Sequence, residues 1–189
     1  MELDSRQLRY ALLKIIPFKT IGVYASDQLI DVNRHNTDIA IIVNNQDSTL
    51  PGQHWLAFFK RKGENLEFFD SFANPIEFYG KEFVNFSKEK PLRQSNFQIQ
   101  PDNTSTCGYF CLVFLYCRYR KMSFQYIVDK LFSVIDLEYN NFLVQQFVDS
   151  IHFPTFSDCE NVCKKLCHTR GSKYKSICIQ SSNKCLRMY

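Results

Sequence analysis

The spacing of hydrophobic and polar positions along the chain predicts several helices. Apolar residues at helical spacing over residues 5–15 predict an N-terminal amphipathic helix, which Pro17 ends. The same spacing predicts helices over residues 76–89, 123–132 and 138–147.

Strand-like patterns lie between the first and second helices, and one more follows the second. Residues 38–44 form an apolar run that predicts a buried strand. Two aromatic runs flank a polar loop around Gly63 and predict a β-hairpin, and residues 97–100 predict a further short strand. In an antiparallel pair the indices of facing residues sum to a constant, here about 125, which places His54 almost opposite Asp70. An imidazole and a carboxylate are thus expected together at the open end of the hairpin.

The most continuously apolar segment, residues 107–117, predicts a buried helix that begins with a cysteine. The short polar residues 103–105 suit an N-cap, and Cys107 then lies in the first turn. There the helix dipole and the free N–H groups favour an anion, and the thiolate is the reactive form of cysteine. Gly108 leaves room beside the sulfur. Alternatively, Cys107 is a buried core residue, as we expect for Cys111 and Cys117.

Composition and charge divide the chain into a body and a tail. The 189 residues suffice for one domain with a Phe-rich core and a small appendage, and the net charge is +4. Residues 157–189 carry seven Lys or Arg against two acids and hold five of the eight cysteines. The body is therefore almost neutral. We predict a domain over residues 1–156 and a basic, Cys-rich tail over residues 157–189.

The tail permits three interpretations. Cys159, Cys163 and Cys167 are spaced four residues apart, in a pattern that faintly resembles cysteine-stabilised toxins and defensins, but five cysteines leave one unpaired. A zinc site that includes His168 and a disordered basic extension are the other two interpretations. A weak contact with nucleic acid through this tail is expected from its charge.

Four residues supply the groups that thiol-dependent acyl transfer needs. Cys107 is the candidate nucleophile, His54 the candidate base and acid, and Asp70 the group that orients His54. Gln100, on an extended segment before a proline, is placed to donate its amide to an oxyanion near the sulfur. We therefore predict a hydrolase that forms an acyl-enzyme on Cys107.

The same residues fall within motifs that occur in a characteristic order. These are residues 22–27, Ile42-Val43-Asn44 followed ten residues after Asn44 by His54-Trp55, Phe69-Asp70-Ser71, and Gln100 seven residues before the segment 107–111. In order and spacing they resemble the adenovirus-type cysteine proteases (adenain), and most closely the version encoded by Polinton/Maverick and adenovirus-like elements. The resemblance covers residues 17–150.

The resemblance implies a fold, an activity and a set of site residues. The fold is α+β and papain-related in a permuted order, with a central mixed sheet flanked by helices and the nucleophile at a buried helix N-terminus. It implies His54, Asp70, Gln100 and Cys107 as the catalytic residues, with Trp55, Asn44 and Gly108 lining the substrate site. The implied activity is maturation of capsid or core precursors of a virus or mobile element, without a metal or cofactor. Whether a peptide or DNA activator is needed stays open.

Cellular location follows from the first residues and from the apolar runs. The N-terminal ten residues carry charges and lack the apolar core of a signal peptide, and no apolar run reaches membrane-spanning length. We expect a monomeric intracellular protein, in a virion or host nucleus, that is not secreted and does not bind a membrane.

Two other functions stay open. Phe69-Asp70-Ser71 and the pairing of Gln100 with Cys107-Gly108 also resemble proteases of ubiquitin-like proteins. The other alternative is a non-catalytic binding module with a decayed protease fold and a basic tail that contacts nucleic acid. In that case Cys107 would react no faster than an ordinary cysteine.

Overall fold

The computed structural model of the chain describes residues 2–31, 37–87 and 93–151. Five helices lie in these ranges: α1 (Ser5–Ile15), α2 (Lys81–Phe86), α3 (Cys107–Tyr119), α4 (Phe124–Tyr126) and α5 (Leu137–Asp149). Short 3₁₀ turns cover Ser26–Asp31 and Ile76–Tyr79, and a π-helical turn, Ile127–Leu131, continues α4. The predicted helices at residues 5–15 and 138–147 are confirmed.

Five strands form one mixed sheet in sequence order. They are β1 (Thr20–Tyr24), β2 (Ile39–Asn44), β3 (Trp55–Lys60), β4 (Glu67–Phe69) and β5 (Arg93–Gln94). The two outer pairs, β1 with β2 and β4 with β5, are parallel, whereas the two central pairs are antiparallel. The prediction of a central mixed sheet flanked by helices is therefore confirmed, as is the hairpin of β3 and β4.

Every residue of β2, β3 and β4 is buried, because helices cover both faces of the sheet. On one face Ile41, Phe58 and Phe68 pack in a cluster with Phe83 and Phe86 of α2. On the other face α3 lies across β3, and Phe69 stacks on Phe114 with ring centroids 4.4 Å apart. Since α3 is itself covered by α1 and α5, its first nine residues are all buried. Cys107 is thereby fixed against the centre of the sheet.

A buried ion pair ties α3 to β4. The guanidinium of Arg118 donates to both carboxylate oxygens of Glu67 over 2.6 and 2.9 Å. Arg118 also lies over the Phe59 ring, 5.0 Å from its centroid. Removing either charge alone would leave the other buried and unpaired, so the pair holds the helix in one position on the sheet.

Three local predictions are wrong. The helix predicted over residues 76–89 is divided at Gly80, where φ is 92°, a conformation that a helix excludes. Residues 97–100 form a loop and not a strand, because the N–H groups of Ile99 and Gln100 both bond the Ser71 carbonyl, and the edge strand is β5 instead. The N-cap of α3 is Thr106 and not one of residues 103–105.

Several predictions concern residues outside the described ranges. They include the boundary between residues 156 and 157, and the tail with its five cysteines and His168. Within the described ranges, no helix combines the length and the apolar character needed to cross a membrane.

Candidate active site

The hairpin places an imidazole and a carboxylate in contact at its open end. His54 directly precedes β3, and Asp70 directly follows β4. The Nε2 atom of His54 lies 2.7 Å from Oδ1 of Asp70. Asp70 is fully buried and His54 is 8 % exposed, so water scarcely competes for this contact.

The Asp70 carboxylate is held by donors on both oxygens. Besides His54, Oδ1 accepts the N–H of Phe72 over 3.0 Å. Oδ2 accepts the N–H and the side-chain amide of Asn74 over 2.9 and 3.1 Å, and the hydroxyl of Tyr79 over 2.6 Å. Burial raises the pKa of Asp70, but these hydrogen bonds and the charge of His54 outweigh it, and the pKa is lowered overall. Asp70 is thus a fixed anion.

This environment favours the protonated form of His54. Burial lowers the pKa of His54, but hydrogen bonds to Asp70 and Cys107 and the charges of both groups raise it to about 9. The ring is packed by Phe72 and Tyr79, with centroids 5.0 and 6.1 Å away. Because Nε2 is bound to Asp70, Nδ1 is the ring nitrogen that remains for the thiol of Cys107.

Cys107 is the first residue of α3, where the backbone N–H has no partner within the helix. Its side chain is 3 % exposed, and its Sγ accepts the N–H of Trp55 over 3.4 Å. The structure therefore brings the three predicted groups together: His54 is hydrogen-bonded to Asp70, and the Cys107 thiol is close enough to contribute to the raised pKa of His54.

A second thiol, which sequence analysis assigned to the core, anchors the same strand. Cys111 is buried one turn after Cys107, and its S–H donates to the Trp55 carbonyl over 3.3 Å. The backbone N–H and C=O of Trp55 point away from β2. Alternate residues of an antiparallel strand bond the same neighbour, and on the β2 side it is His54, next to Trp55, that bonds to Asn45. They also find no partner on β4, which ends at Phe69. The thiols of Cys107 and Cys111 therefore complete the hydrogen bonding at the start of β3, beside His54.

Gln100 lies in the site but is bonded to protein groups. It is fully buried, and its Oε1 accepts the Ser71 hydroxyl over 2.6 Å. Its Nε2 donates to the carbonyl and the hydroxyl of Thr104 over 2.9 and 3.1 Å. Gln100 thus joins the turn after Asp70 to the loop before Cys107. Its role as an oxyanion donor stays a prediction.

Asn44 and Gly108, two of the three predicted substrate-site residues, lie next to the third, Trp55. The Trp55 ring is 9 % exposed and lines a cavity together with Asn44. A Cβ at Gly108 would lie 2.9 Å from Leu8 and 3.4 Å from the Trp55 ring, so glycine is needed there for close packing. Binding of substrate by these three residues stays a prediction.

Sequence analysis missed the residues that support Asp70. Asn74 and Tyr79 follow Asp70 within nine residues. The Asp70 carboxylate accepts backbone N–H groups two and four residues later, which is the hydrogen-bond pattern of an Asx-type turn. The residue types that follow Asp70 in the sequence are compatible with such a turn, whereas the contact of Tyr79 depends on the break at Gly80. Ala73 completes this turn in a left-handed conformation, with φ at 60°.

A metal site is absent from the described ranges. No group of three or more His, Cys, Asp or Glu side chains there has a geometry that could hold an ion.

Comparison with known proteins shows similarity at the level of the fold. No family model and no curated protein matches the chain. The ASFV pS273R protease shares the fold with a TM-score of 0.51 and 15 % identity, over 76 % of this chain and 66 % of that one. The central domain of the Lpg1148 protein from Legionella pneumophila aligns with a TM-score of 0.46 and 14 % identity, over 79 % of this chain and 97 % of that domain. The chain covers less than two thirds of the ASFV protein.

Proposed function

We propose that the protein is a cysteine endopeptidase that uses Cys107 as nucleophile. The observation that carries the proposal is the clustering of the Cys107 thiol, the His54 ring and the buried Asp70 carboxylate: His54 is hydrogen-bonded to Asp70 over 2.7 Å, and Cys107 contributes to the raised pKa of His54. A nucleophile, a base and a group that orients the base are the elements required for acyl transfer. The shared fold with a protease supports the same conclusion.

The proposed reaction proceeds through an acyl-enzyme. The sulfur of Cys107 attacks the peptide carbonyl as a thiolate, while the imidazolium of His54 holds the proton. His54 then gives that proton to the leaving amine, and a thioester remains on Cys107. A water molecule, deprotonated by His54, attacks the thioester, and the carboxylic acid product leaves with the thiol restored.

The negative oxygen formed in each step needs donors. The unpaired N–H of Cys107 at the start of α3 is one. We assign the other to Gln100, whose amide would exchange Thr104 for the oxyanion. Removing a donor of this kind typically lowers kcat by about 10²–10³-fold. We expect Gln100→Ala to show a loss of that size.

The substrate class is proposed from the motif order in the sequence. The permuted papain arrangement, with His54 before Cys107, matches the resemblance to adenovirus-type proteases. We therefore propose that the substrates are capsid or core precursors of a virus or mobile element, cleaved in a virion or host nucleus.

The proposal is tested with an unbiased peptide library read by mass spectrometry. We expect cleavage by the wild-type protein and none by Cys107→Ala or His54→Ala. Cys117→Ala, a change at a buried thiol on the same helix, serves as the control and should cleave normally. Equal cleavage by wild type and Cys107→Ala would overturn the proposal. A ubiquitin-like probe ending in Gly-Gly separates the substrate classes, because its reaction with Cys107 would favour ubiquitin-like proteins.

A further inference from the structure

A cavity of about 550 Å³ lies at the end of the sheet where β3 begins. Its walls are the residues that begin α1, the end of β1, the loop between β2 and β3, and Trp55. Trp55 follows His54 in the chain, and its N–H bonds the sulfur of Cys107. The volume lies within the range of sites that bind small ligands or side chains. Because Trp55 contacts the thiol and also lines the cavity, we expect a peptide bound at the thiol to pass this cavity.

The charge on the cavity walls has one sign. Glu2, Asp4 and Asp47 line it, and among the described residues no Lys, Arg or His lines it. Asp4 also caps α1, since its Oδ1 accepts two backbone N–H groups over 2.8 and 2.9 Å. A fourth carboxylate, Asp27, accepts the N–H and the hydroxyl of Ser48, which is itself a wall residue. The walls therefore attract a cation.

A second feature of the cavity indicates that a ligand binds there. Asn44 is 5 % exposed, and its Oδ1 accepts the N–H of Gln46 over 2.9 Å. Its Nδ2 is buried and has no hydrogen-bond partner among the described residues. A buried amide without an acceptor is costly, and a peptide carbonyl is the acceptor that a substrate brings.

We propose that this cavity is a specificity subsite that takes a Lys or Arg side chain of the substrate. The cation would lie among Glu2, Asp4 and Asp47 with its aliphatic stem along Leu50 and Tyr24, and Asn44 would bond a main-chain carbonyl of the same peptide. The inference rests on the proposed endopeptidase function and adds a substrate class to it: proteins with a basic residue close to the cleaved bond.

The test compares peptides that differ at one position. A positional-scanning library of internally quenched peptides identifies the cleaved sequence, and matched peptides then carry Lys or norleucine at each position. We expect kcat/KM to favour Lys by about tenfold at one position in low salt, as expected for three partly exposed charges. The preference should shrink as salt rises. In the triple variant Glu2→Gln, Asp4→Asn, Asp47→Asn the ratio should fall below about twofold. Asparagine still caps a helix, so α1 should persist.

A matched control and a binding measurement complete the test. Glu138→Gln removes an exposed acid from α5, outside the cavity, and should retain the full preference for Lys. Binding of the same fluorescent peptides to Cys107→Ala protein reports the subsite without any turnover. Equal affinity for the Lys and norleucine peptides, or an unchanged ratio in the triple variant, would overturn the subsite. A failure of cleavage with charge-selective binding intact would count only against the endopeptidase proposal.

Discussion

Asp70→Asn tests the electrostatic basis of the site most completely. Asp70 accepts bonds from five donors, and an amide can accept on one atom only. If the amide N–H₂ replaces Oδ2, it faces the donors of Asn74 and Tyr79. If it replaces Oδ1, it faces His54 and Phe72. Either orientation leaves buried donors unpaired, at about 1–3 kcal/mol each.

The change also removes the charge that favours imidazolium. Raising the pKa of His54 from 6.5 to about 9 corresponds to about 3 kcal/mol in favour of the protonated ring. At pH 8.5 a ring with a pKa of 9 is about three-quarters protonated, whereas a ring with a pKa of 6.5 is about 1 % protonated. We therefore expect the activity of Asp70→Asn at pH 8.5 to fall by roughly a hundredfold from this effect alone.

The assay is the pH profile of kcat/KM for a peptide identified by library cleavage. The alkaline limb should lie near pH 9 in the wild type and move to about 6.5 or below in the variant. Asp136→Asn, which preserves the cap of α5, is the control and should leave the limb near 9. An alkaline limb that stays near pH 9 in Asp70→Asn would refute the reasoning.

Folding stability should follow the same two groups. Because the folded-state pKa of His54 is raised, its contribution is complete below pH 6.5 and is lost as pH rises through about 9. Because the pKa of Asp70 is lowered, its contribution is present above about pH 4 and is lost as pH falls further. Tyr79→Phe removes a 2.6 Å bond to Asp70 and should lower the free energy of unfolding by about 1.5–3 kcal/mol in urea titration; a loss below about 0.5 kcal/mol would contradict this. Cys111→Ala leaves the Trp55 carbonyl unpaired and should lower kcat/KM more than Cys111→Ser, which keeps a donor; equal losses would show that the bond does not matter. Gly52→Ala would place a Cβ 2.2 Å from Nδ2 of Asn44, so the Asn44 side chain must shift, and the variant should raise KM; an unchanged KM would argue against Asn44 as a binding residue.

The parts of the site that follow from local pattern were predictable. The hairpin has an index sum of 126, close to the predicted value, because a short polar loop with Gly63 at positive φ joins two aromatic runs. That register is sufficient to bring His54 to Asp70. The start of α3 at Cys107 follows from the continuous apolar segment behind it.

The parts that depend on long-range contacts were not predictable. The Gln100 side chain accepts a hydrogen bond from Ser71, twenty-nine residues earlier. Residues 97–100 lie in a loop, although their local pattern favours a strand. The role of Cys111 requires knowing that β4 stops at Phe69 and leaves Trp55 unpaired. An apolar helix predicts burial for such a thiol, but it does not identify the carbonyl that it binds.

The most direct test of the central claim is the rate at which iodoacetamide modifies each cysteine, measured by peptide mass spectrometry. Cys107, Cys111 and Cys117 are all buried free thiols on α3, so they provide an internal comparison. At pH 7 we expect Cys107 to react at least about tenfold faster than the other two, and His54→Ala to remove the difference, because among the described residues only Cys107 adjoins an imidazole. A Cys107 that reacts no faster than Cys111 and Cys117, or as fast without His54, would contradict the account.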